Sequence, residues 1–138
     1  MNAGYSGTPL AKKLGIKEGA RVATVGAPAG FPALLDPLPP SVRLRSDLRG
    51  AGPFDVLLVF VRTEAELRSR FARARARLET SGGLWVAWPK QSSPLATGLR
   101  ESHVRAHGLA EGLVDNKICA IDEDWSGPRF VVRLKDRR

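Results

Sequence analysis

The sequence predicts one α/β domain built on a mostly parallel, six-stranded mixed sheet with helices on both faces. Three observations support this fold class. Predicted strands and helices alternate along most of the chain, which implies right-handed crossovers between parallel strands. Residues 54–61, FDVLLVFV, are apolar apart from Asp55, as expected of a central strand that is covered on both faces. The last two predicted strands, 113–122 and 129–135, flank a short acidic turn and form a C-terminal antiparallel hairpin.

In the first half of the chain, turn residues separate short apolar segments. Gly30 and Pro32 are suited to begin a short helix, because proline is favoured in the first helical turn. Residues 41–46 alternate apolar residues with arginines, which is typical of an edge strand protected by charge. The predicted elements are a helix at 8–14 capped by Thr8, a strand at 20–27, a short helix at 31–38, a strand at 41–46 and the central strand at 54–61.

The second half contains the clearest helical pattern, from Thr63 to about Thr80. Thr63 and Glu66 form a capping-box pattern at its start. Gly82 and Gly83 are expected to end it, and a buried strand at 84–88 follows. The apolar stripe of this helix consists of Leu67, Phe71, Ala74 and Leu78. A further helix is predicted from about Pro94 to His107, before the terminal hairpin.

The composition is that of a soluble globular protein. The chain has 138 residues, of which 43% are hydrophobic and 26% charged, and this suits one domain spanning 1–138. A single cysteine, Cys119, excludes an internal disulfide. The sequence has no apolar run of membrane-spanning length, and its first residues lack the apolar region of a signal peptide. We therefore expect a cytoplasmic protein that does not contact membranes.

The order of elements resembles the methyltransferase-type Rossmann-like fold, whose sheet also ends in an antiparallel hairpin. The resemblance covers nearly the whole chain, except that one helix–strand unit after the second strand is missing. It is a resemblance of topology and not of motifs. It implies that the loop from Gly26 to Phe31 lies at the ligand crevice, beyond the carboxyl ends of the parallel strands.

Four longer blocks resemble a bacterial family known as domain of unknown function 3052. The blocks are GYSGTPLAKKLGIKEGARV at 4–22, GPFDVLLVFV at 52–61, GGLWVAWPK at 82–90 and GLVDNKICAIDEDWSGPRFVVRL at 112–134. Together they span most of the sequence. The resemblance implies family membership, and it implies no activity because that family has none assigned.

The loop after the first strand departs from the S-adenosylmethionine motifs of methyltransferases. Those enzymes usually carry an acidic residue at the start of this loop, whereas Thr24 and Val25 stand there in this chain. Gly26 and Gly30 are far apart, and Pro28 between them adds bulk and removes a backbone donor. The loop also fails to match the pattern G-x-G-x-x-G.

Two further positions of the methyltransferase pattern are also unmatched. The region after the second strand, which normally supplies an acid for the ribose, is rich in arginine and offers only Asp47. The position of the catalytic Asp or Asn is occupied by Val61, Arg62 and Thr63. We therefore predict no cofactor, no catalytic residue and a non-catalytic binding or interaction module. A divergent S-adenosylmethionine-dependent methyltransferase is the alternative.

Basic residues follow three of the predicted strands, and they suggest an anion crevice. Since the carboxyl ends of parallel strands meet at one edge, these side chains are expected to gather there. Amides around Gly30, at a helix start, would add donors to an anion such as a phosphate-bearing metabolite. In the alternative interpretation these basic residues are ordinary loop residues of a basic protein. The predicted ligand-binding residues are Gly26, Gly30, Arg45, Arg62, Trp88 and Lys90.

Other polar groups have ordinary structural explanations. His103 and His107 have a spacing that suits a metal, but a polar helix face explains them better. The acidic residues 122–124 fit a turn. Cys119 lies between apolar neighbours, as inert core cysteines do. We predict no metal site.

The segment RSRFARARAR at 68–77 suggests a contact with nucleic acid, since the net charge of the chain is +8. Helical spacing places Arg70, Arg73 and Arg77 on one flank that is expected to face solvent. Glu64 and Glu66 partly neutralise the helix through i,i+4 pairs with arginines. A solvated face is the alternative, so we expect at most weak and non-specific binding of nucleic acid.

Overall fold

Strands alternate with helices along residues 8–50 and 52–137, which are the part of the chain that the computed structural model describes. The start of the first resemblance block, residues 4–7, therefore lies outside the described residues. The elements in chain order are α1 (Leu10–Lys13), β1 (Arg21–Val25), a 3-10 helix (Phe31–Leu35), β2 (Arg43–Arg45), β3 (Phe54–Phe60), α2 (Glu64–Arg75), β4 (Leu78–Pro89), α3 (Glu101–Ala110), β5 (Leu113–Ala120), β6 (Trp125–Val132) and a second 3-10 helix (Leu134–Asp136).

The strands form one six-stranded sheet in the order β2-β1-β3-β4-β6-β5. Neighbours among β2, β1, β3 and β4 pair in parallel, whereas β6 is antiparallel to both β4 and β5. The predicted mixed sheet with a C-terminal antiparallel hairpin is therefore confirmed. As predicted, β3 is central and the arginine-flanked β2 is an edge strand. The first strand lies inside the sheet.

Helices cover both faces of the sheet. On one face α2 and α3 pack over Leu57 and Val59 of β3, with Phe71 and Phe130 in the same cluster. On the other face α1 and the first 3-10 helix pack over Val56, Leu58 and Phe60. Every residue of β3 except Asp55 is buried, which explains its almost continuous apolar sequence.

The start of α2 is confirmed by its cap. Thr63 is the N-cap residue, and its hydroxyl accepts a hydrogen bond from the Glu66 amide at 3.1 Å. The predicted end of this helix is wrong, because α2 ends at Arg75 and Leu78 already belongs to β4. There Leu78 lies opposite Phe54 of β3. A leucine at this spacing fits a helix stripe and a strand equally well.

Gly82 and Gly83 do not end a helix but lie within β4. A Cβ on Gly82 would stand 2.6 Å from the carbonyl oxygen of Asp55, and one on Gly83 would stand 2.8 Å from Cζ of Arg129. Gly82 is thus required by close approach to backbone across the sheet, whereas a side chain at Gly83 would force Arg129 to move.

Several further boundaries differ from the prediction, and α1 begins at Leu10 after Pro9 without the predicted Thr8 cap. The segment from Pro94 forms turns, and α3 begins only at Glu101. The helix predicted at 31–38 is a 3-10 helix that ends at Leu35. Strand β6 begins at Trp125 and not at Arg129, so the acidic turn is shorter than expected. Within the described residues, no helix is long and apolar enough to cross a membrane.

Candidate functional site

A hollow of about 320 Å³ lies at the carboxyl ends of β1 and β3, where the crevice was expected. Gly26 follows β1 and lines one side, and Arg62 follows β3 and lines another. Helix α2 contributes Glu66 and Arg70, and Trp125 at the start of β6 completes the wall. Two predicted site residues, Gly26 and Arg62, are therefore brought together here.

The guanidinium of Arg70 lies directly over Gly26. Its Nη1 donates a hydrogen bond to the carbonyl oxygen of Phe60 at 2.6 Å. Its Cζ lies 2.9 Å from the point where a Cβ on residue 26 would stand, and Gly26 has a φ of +71°. Only glycine suits this position, because a side chain would be strained by the backbone angle and would collide with Arg70. Arg70 is thus part of the crevice, which the sequence analysis did not foresee.

Glu66 fixes the geometry of both arginines. One carboxylate oxygen, Oε1, accepts a hydrogen bond from the backbone amide of Arg62 at 2.8 Å. The other, Oε2, lies 3.4 Å from Nη2 of Arg70. The Arg62 guanidinium lies 5.6 Å from the centre of the Trp125 ring, in a cation–π arrangement. Two guanidinium groups and one carboxylate give this hollow a surplus of one positive charge.

The amides around Gly30 do not complete the site. Gly30 precedes a 3-10 helix of 5 residues, and it does not line the hollow. The amide of Phe31 donates to the carbonyl of Pro28 at 3.1 Å, and that of Ala33 donates to Gly30 at 3.2 Å. Pro32 has no amide hydrogen. The amides of Phe31 and Ala33 are thus used within the turn, and Gly30 lies outside the hollow, so anion binding by the helix-start amides stays a prediction that this hollow does not support.

Arg45 also lies apart from the crevice. Arg45 is the last residue of the edge strand β2. Its Nε lies 3.6 Å from a carboxylate oxygen of Asp47. The same oxygen of Asp47 accepts a hydrogen bond from the amide of Arg49 at 3.0 Å. Asp47, the residue considered for a ribose contact, is thus engaged in its own loop.

Trp88 and Lys90 line a different hollow, of about 370 Å³, together with Arg100 at the start of α3. The Trp88 ring is buried and 7% exposed, so it offers little surface for stacking. The prediction that Arg45, Arg62 and Lys90 gather at one site is therefore wrong. The strands before these residues end on the same side of the sheet, but Arg62 and Lys90 line different hollows and Arg45 lies by Asp47.

The remaining polar groups have structural roles. Nδ1 of His103 accepts a hydrogen bond from the amide of Arg100 at 3.0 Å, and the His107 ring packs edge-on against Phe71 at 5.0 Å. Asp122 accepts the amides of Asp124 and Trp125 at 2.8 Å each, as expected of a turn. Residues 8–50 and 52–137 contain no group of three or more His, Cys, Asp or Glu residues suited to a metal.

Cys119 on β5 is partly buried. Burial raises the pKa of its thiol, although the charges of Lys13 and Lys117 oppose this effect. A thiol with a raised pKa is protonated at neutral pH and is a poor nucleophile. The interpretation of Cys119 as an unreactive residue fits this environment.

The arginine flank predicted on α2 does not face solvent as one surface. Arg70 turns into the crevice, and Arg77 lies just beyond the helix end. The Arg77 guanidinium donates to the carbonyls of Leu48, Gly50 and Gly52, and lies 5.2 Å from the centre of the Phe54 ring. The prediction of a solvent-facing flank containing Arg70 and Arg77 is wrong, because both guanidinium groups bind backbone carbonyls.

The chain matches no protein-family model, and no curated protein sequence matches it. Solved structures do resemble it. An S-adenosylmethionine-dependent methyltransferase from Aquifex aeolicus superposes with a TM-score of 0.62 at 15% identity, over 88% of this chain and 87% of the other. The N-methyltransferase NodS from Bradyrhizobium japonicum gives 0.53 at 16% identity, over 80% and 84%. Fibrillarin from Aeropyrum pernix, with natively bound S-adenosylmethionine, gives 0.59 at 16% identity, over 93% and 70%.

These similarities establish the fold. The chain is a single-sheet α/β protein of the methyltransferase-like, Rossmann-like type, as its order of elements predicted. At 15–16% identity they do not carry over a ligand or an activity.

The contact between Gly26 and Arg70 predicts a measurable coupling. We expect Gly26→Ala to lower the free energy of unfolding by about 2 kcal/mol, because alanine is strained at this φ and displaces the guanidinium. In an Arg70→Ala background the same substitution should cost at least about 0.5 kcal/mol less. Denaturant unfolding of the four proteins of this cycle measures both values.

Gly98→Ala is the matched control for this cycle. Gly98 has a φ of +92° and no atom within 4 Å of a built Cβ, so only the backbone strain applies. Its cost should not depend on Arg70. Equal costs of Gly26→Ala in both backgrounds would contradict the contact.

Proposed function

We propose that the chain is a cytoplasmic binding module whose crevice at Gly26, Arg62 and Arg70 takes a small anionic, phosphate-bearing metabolite. The observation that carries this proposal is the pair of guanidinium groups in one hollow, one of which lies directly over Gly26. The proposal retains Gly26 and Arg62 from the sequence-based set. It replaces the helix-start amides, Arg45 and Lys90 with Arg70.

The chemistry of guanidinium groups supports a phosphate. Each presents planar donors that match two phosphate oxygens at once, and such charge-assisted hydrogen bonds are stronger than neutral ones. Arg70 is oriented by the Phe60 carbonyl and Glu66, while Arg62 is exposed above Trp125. The hollow is at the lower end of the size range of small-molecule sites, which favours a small ligand.

The same contacts argue against S-adenosylmethionine in the usual pose. The Arg70 guanidinium fills the space over the glycine of the loop, and Thr24 at the end of β1 is buried. Asp47 is engaged with Arg45 and Arg49. A divergent methyltransferase is the second candidate function, and the fold shared with the methyltransferases described above favours it.

We also propose membership of the family known as domain of unknown function 3052, on the four blocks of resemblance. The blocks at 52–61, 82–90 and 112–134 cover β3, the buried half of β4 and the β5–β6 hairpin. They therefore cover the buried centre of the fold. Arg62 and Arg70 lie outside them, so the resemblance says nothing for or against the anion crevice.

A thermal-shift screen of nucleotides, coenzyme A derivatives and phosphosugars tests the anion crevice. We expect at least one phosphate-bearing compound to raise the melting temperature, because only the folded protein binds it. In Arg62→Ala, affinity for that compound should fall about ten-fold or more, since a charge-assisted hydrogen bond is worth roughly 1.5–3 kcal/mol.

Two substitutions serve as controls in this screen. Lys90→Ala and Arg73→Ala each remove one positive charge outside the hollow, so they should leave the melting shift intact. The proposal fails if no anion raises the melting temperature. It also fails if Lys90→Ala and Arg62→Ala weaken binding equally, which would indicate a general effect of charge.

Calorimetric titration separates the binding module from the methyltransferase. We expect no micromolar binding of S-adenosylmethionine or of its demethylated product, because Arg70 occupies the loop and the acidic partners are missing. Micromolar binding of either compound to the wild-type chain would favour the divergent methyltransferase over our proposal.

Weak, non-specific nucleic-acid binding is the alternative from another class, and the exposed arginines Arg68, Arg73 and Arg75 favour it. We expect any affinity for duplex DNA to fall steeply with salt, by about one log unit per log of salt for each phosphate neutralised. Filter binding of wild-type and Arg73→Ala/Arg75→Ala proteins at several salt concentrations measures this slope. A sequence-selective complex at physiological salt would contradict a merely electrostatic interaction.

A further inference from the structure

A second hollow, of about 320 Å³, lies at the opposite ends of the same strands, near the amino ends of β1 and β3. The loop at 15–20 after α1 forms one wall. Asp55 at the start of β3 and Ser81 and Gly82 of β4 form the floor, and Arg129 from β6 forms the facing wall. This hollow shares no residue with the crevice at Gly26.

The positive charge of Arg129 is balanced by few polar contacts. Its guanidinium lies against Gly83, with Cζ 2.8 Å from the point where a Cβ would stand. Within the described residues it forms no ion pair, and its one hydrogen bond, from Nη1 to the side-chain oxygen of Asn116, is long at 3.4 Å. Burial lowers the pKa of Arg129, and the charge of Arg137 lowers it further. A bound carboxylate would oppose both effects, because its negative charge favours the charged form of the guanidinium.

Carboxylates also line this hollow, beside the basic residues. Its lining includes two basic residues, Lys17 and Arg129, and two acidic ones, Glu18 and Asp55. Asp55 accepts the backbone amide of Arg21 at 2.9 Å through one oxygen. Neither acid forms an ion pair with Arg129 in the part of the chain that the structure describes. Arg129 and the two carboxylates thus line the same hollow without an ion pair between them among the described residues.

We propose that this hollow binds a small zwitterion of amino-acid size, with its carboxylate on Arg129 and its ammonium group on Asp55 or Glu18. A zwitterion contacts both the partly buried Arg129 and one of the carboxylates that line the hollow, which neither a simple anion nor a simple cation does. Ser81 adds a hydroxyl donor at the floor. The site stands on residues that the anion crevice does not use, so it does not depend on the function proposed above.

An NMR titration of the ¹⁵N-labelled full chain with individual α-amino acids tests this site, with acetate and methylammonium as half-ligand probes. At least one amino acid should shift the backbone amides of Gly19, Ser81 and Gly82 in a saturable way. Acetate and methylammonium should shift them far less at equal concentration. Arg129→Met should weaken binding about ten-fold or more, as expected for the loss of a guanidinium–carboxylate contact.

The controls distinguish this site from a general effect of charge or of folding. Arg73→Met removes an exposed charge and should bind as the wild type does, and Arg62→Ala should too because it alters only the crevice. Arg129→Lys keeps the charge without the planar fork, so it should bind between wild type and Arg129→Met. The proposal is overturned if no amino acid shifts these amides at millimolar concentration, if acetate shifts them equally, or if Arg129→Met binds as tightly as the wild type.

Discussion

The burial of β3 on both faces constrains where this protein can carry chemistry. Helices pack over alternate residues of the strand on either side, so its interior positions are all apolar. Polar side chains are tolerated only near its two ends, where Asp55 is the second residue of the strand and Arg62 follows it. Both candidate sites lie at these ends, and each combines a residue from the strand end with groups from the covering elements.

The sequence was sufficient to predict the elements that have a clear local signal. Strand β3 and the start of α2 at Thr63 were predicted correctly, because continuous apolarity and a side-chain cap are local signals. The end of α2 was not, since Leu78 suits both a helix stripe and a strand. Gly83 was assigned to a helix end because the side chain that requires it, Arg129, is far away in the sequence.

The candidate crevice was predictable in position but only partly in composition. Strand order places Gly26 and Arg62 at one edge, and both line the hollow. Lys90 shares that edge, yet strand order gives no distance along it, and the residue belongs to another hollow. Arg70 was missed because helical spacing gives the direction of a Cα–Cβ bond and not the path of a long side chain. Its path depends on the open space over Gly26, which only tertiary structure creates.

The side chain of Arg77 stabilises the connection between β2 and β3. Three carbonyls of the connection between β2 and β3, at Leu48, Gly50 and Gly52, accept hydrogen bonds from this one guanidinium. One side chain from outside the connection thus binds three of its carbonyl groups. An epitope tag inserted there would separate the three acceptors, so this connection is a poor place to engineer the protein.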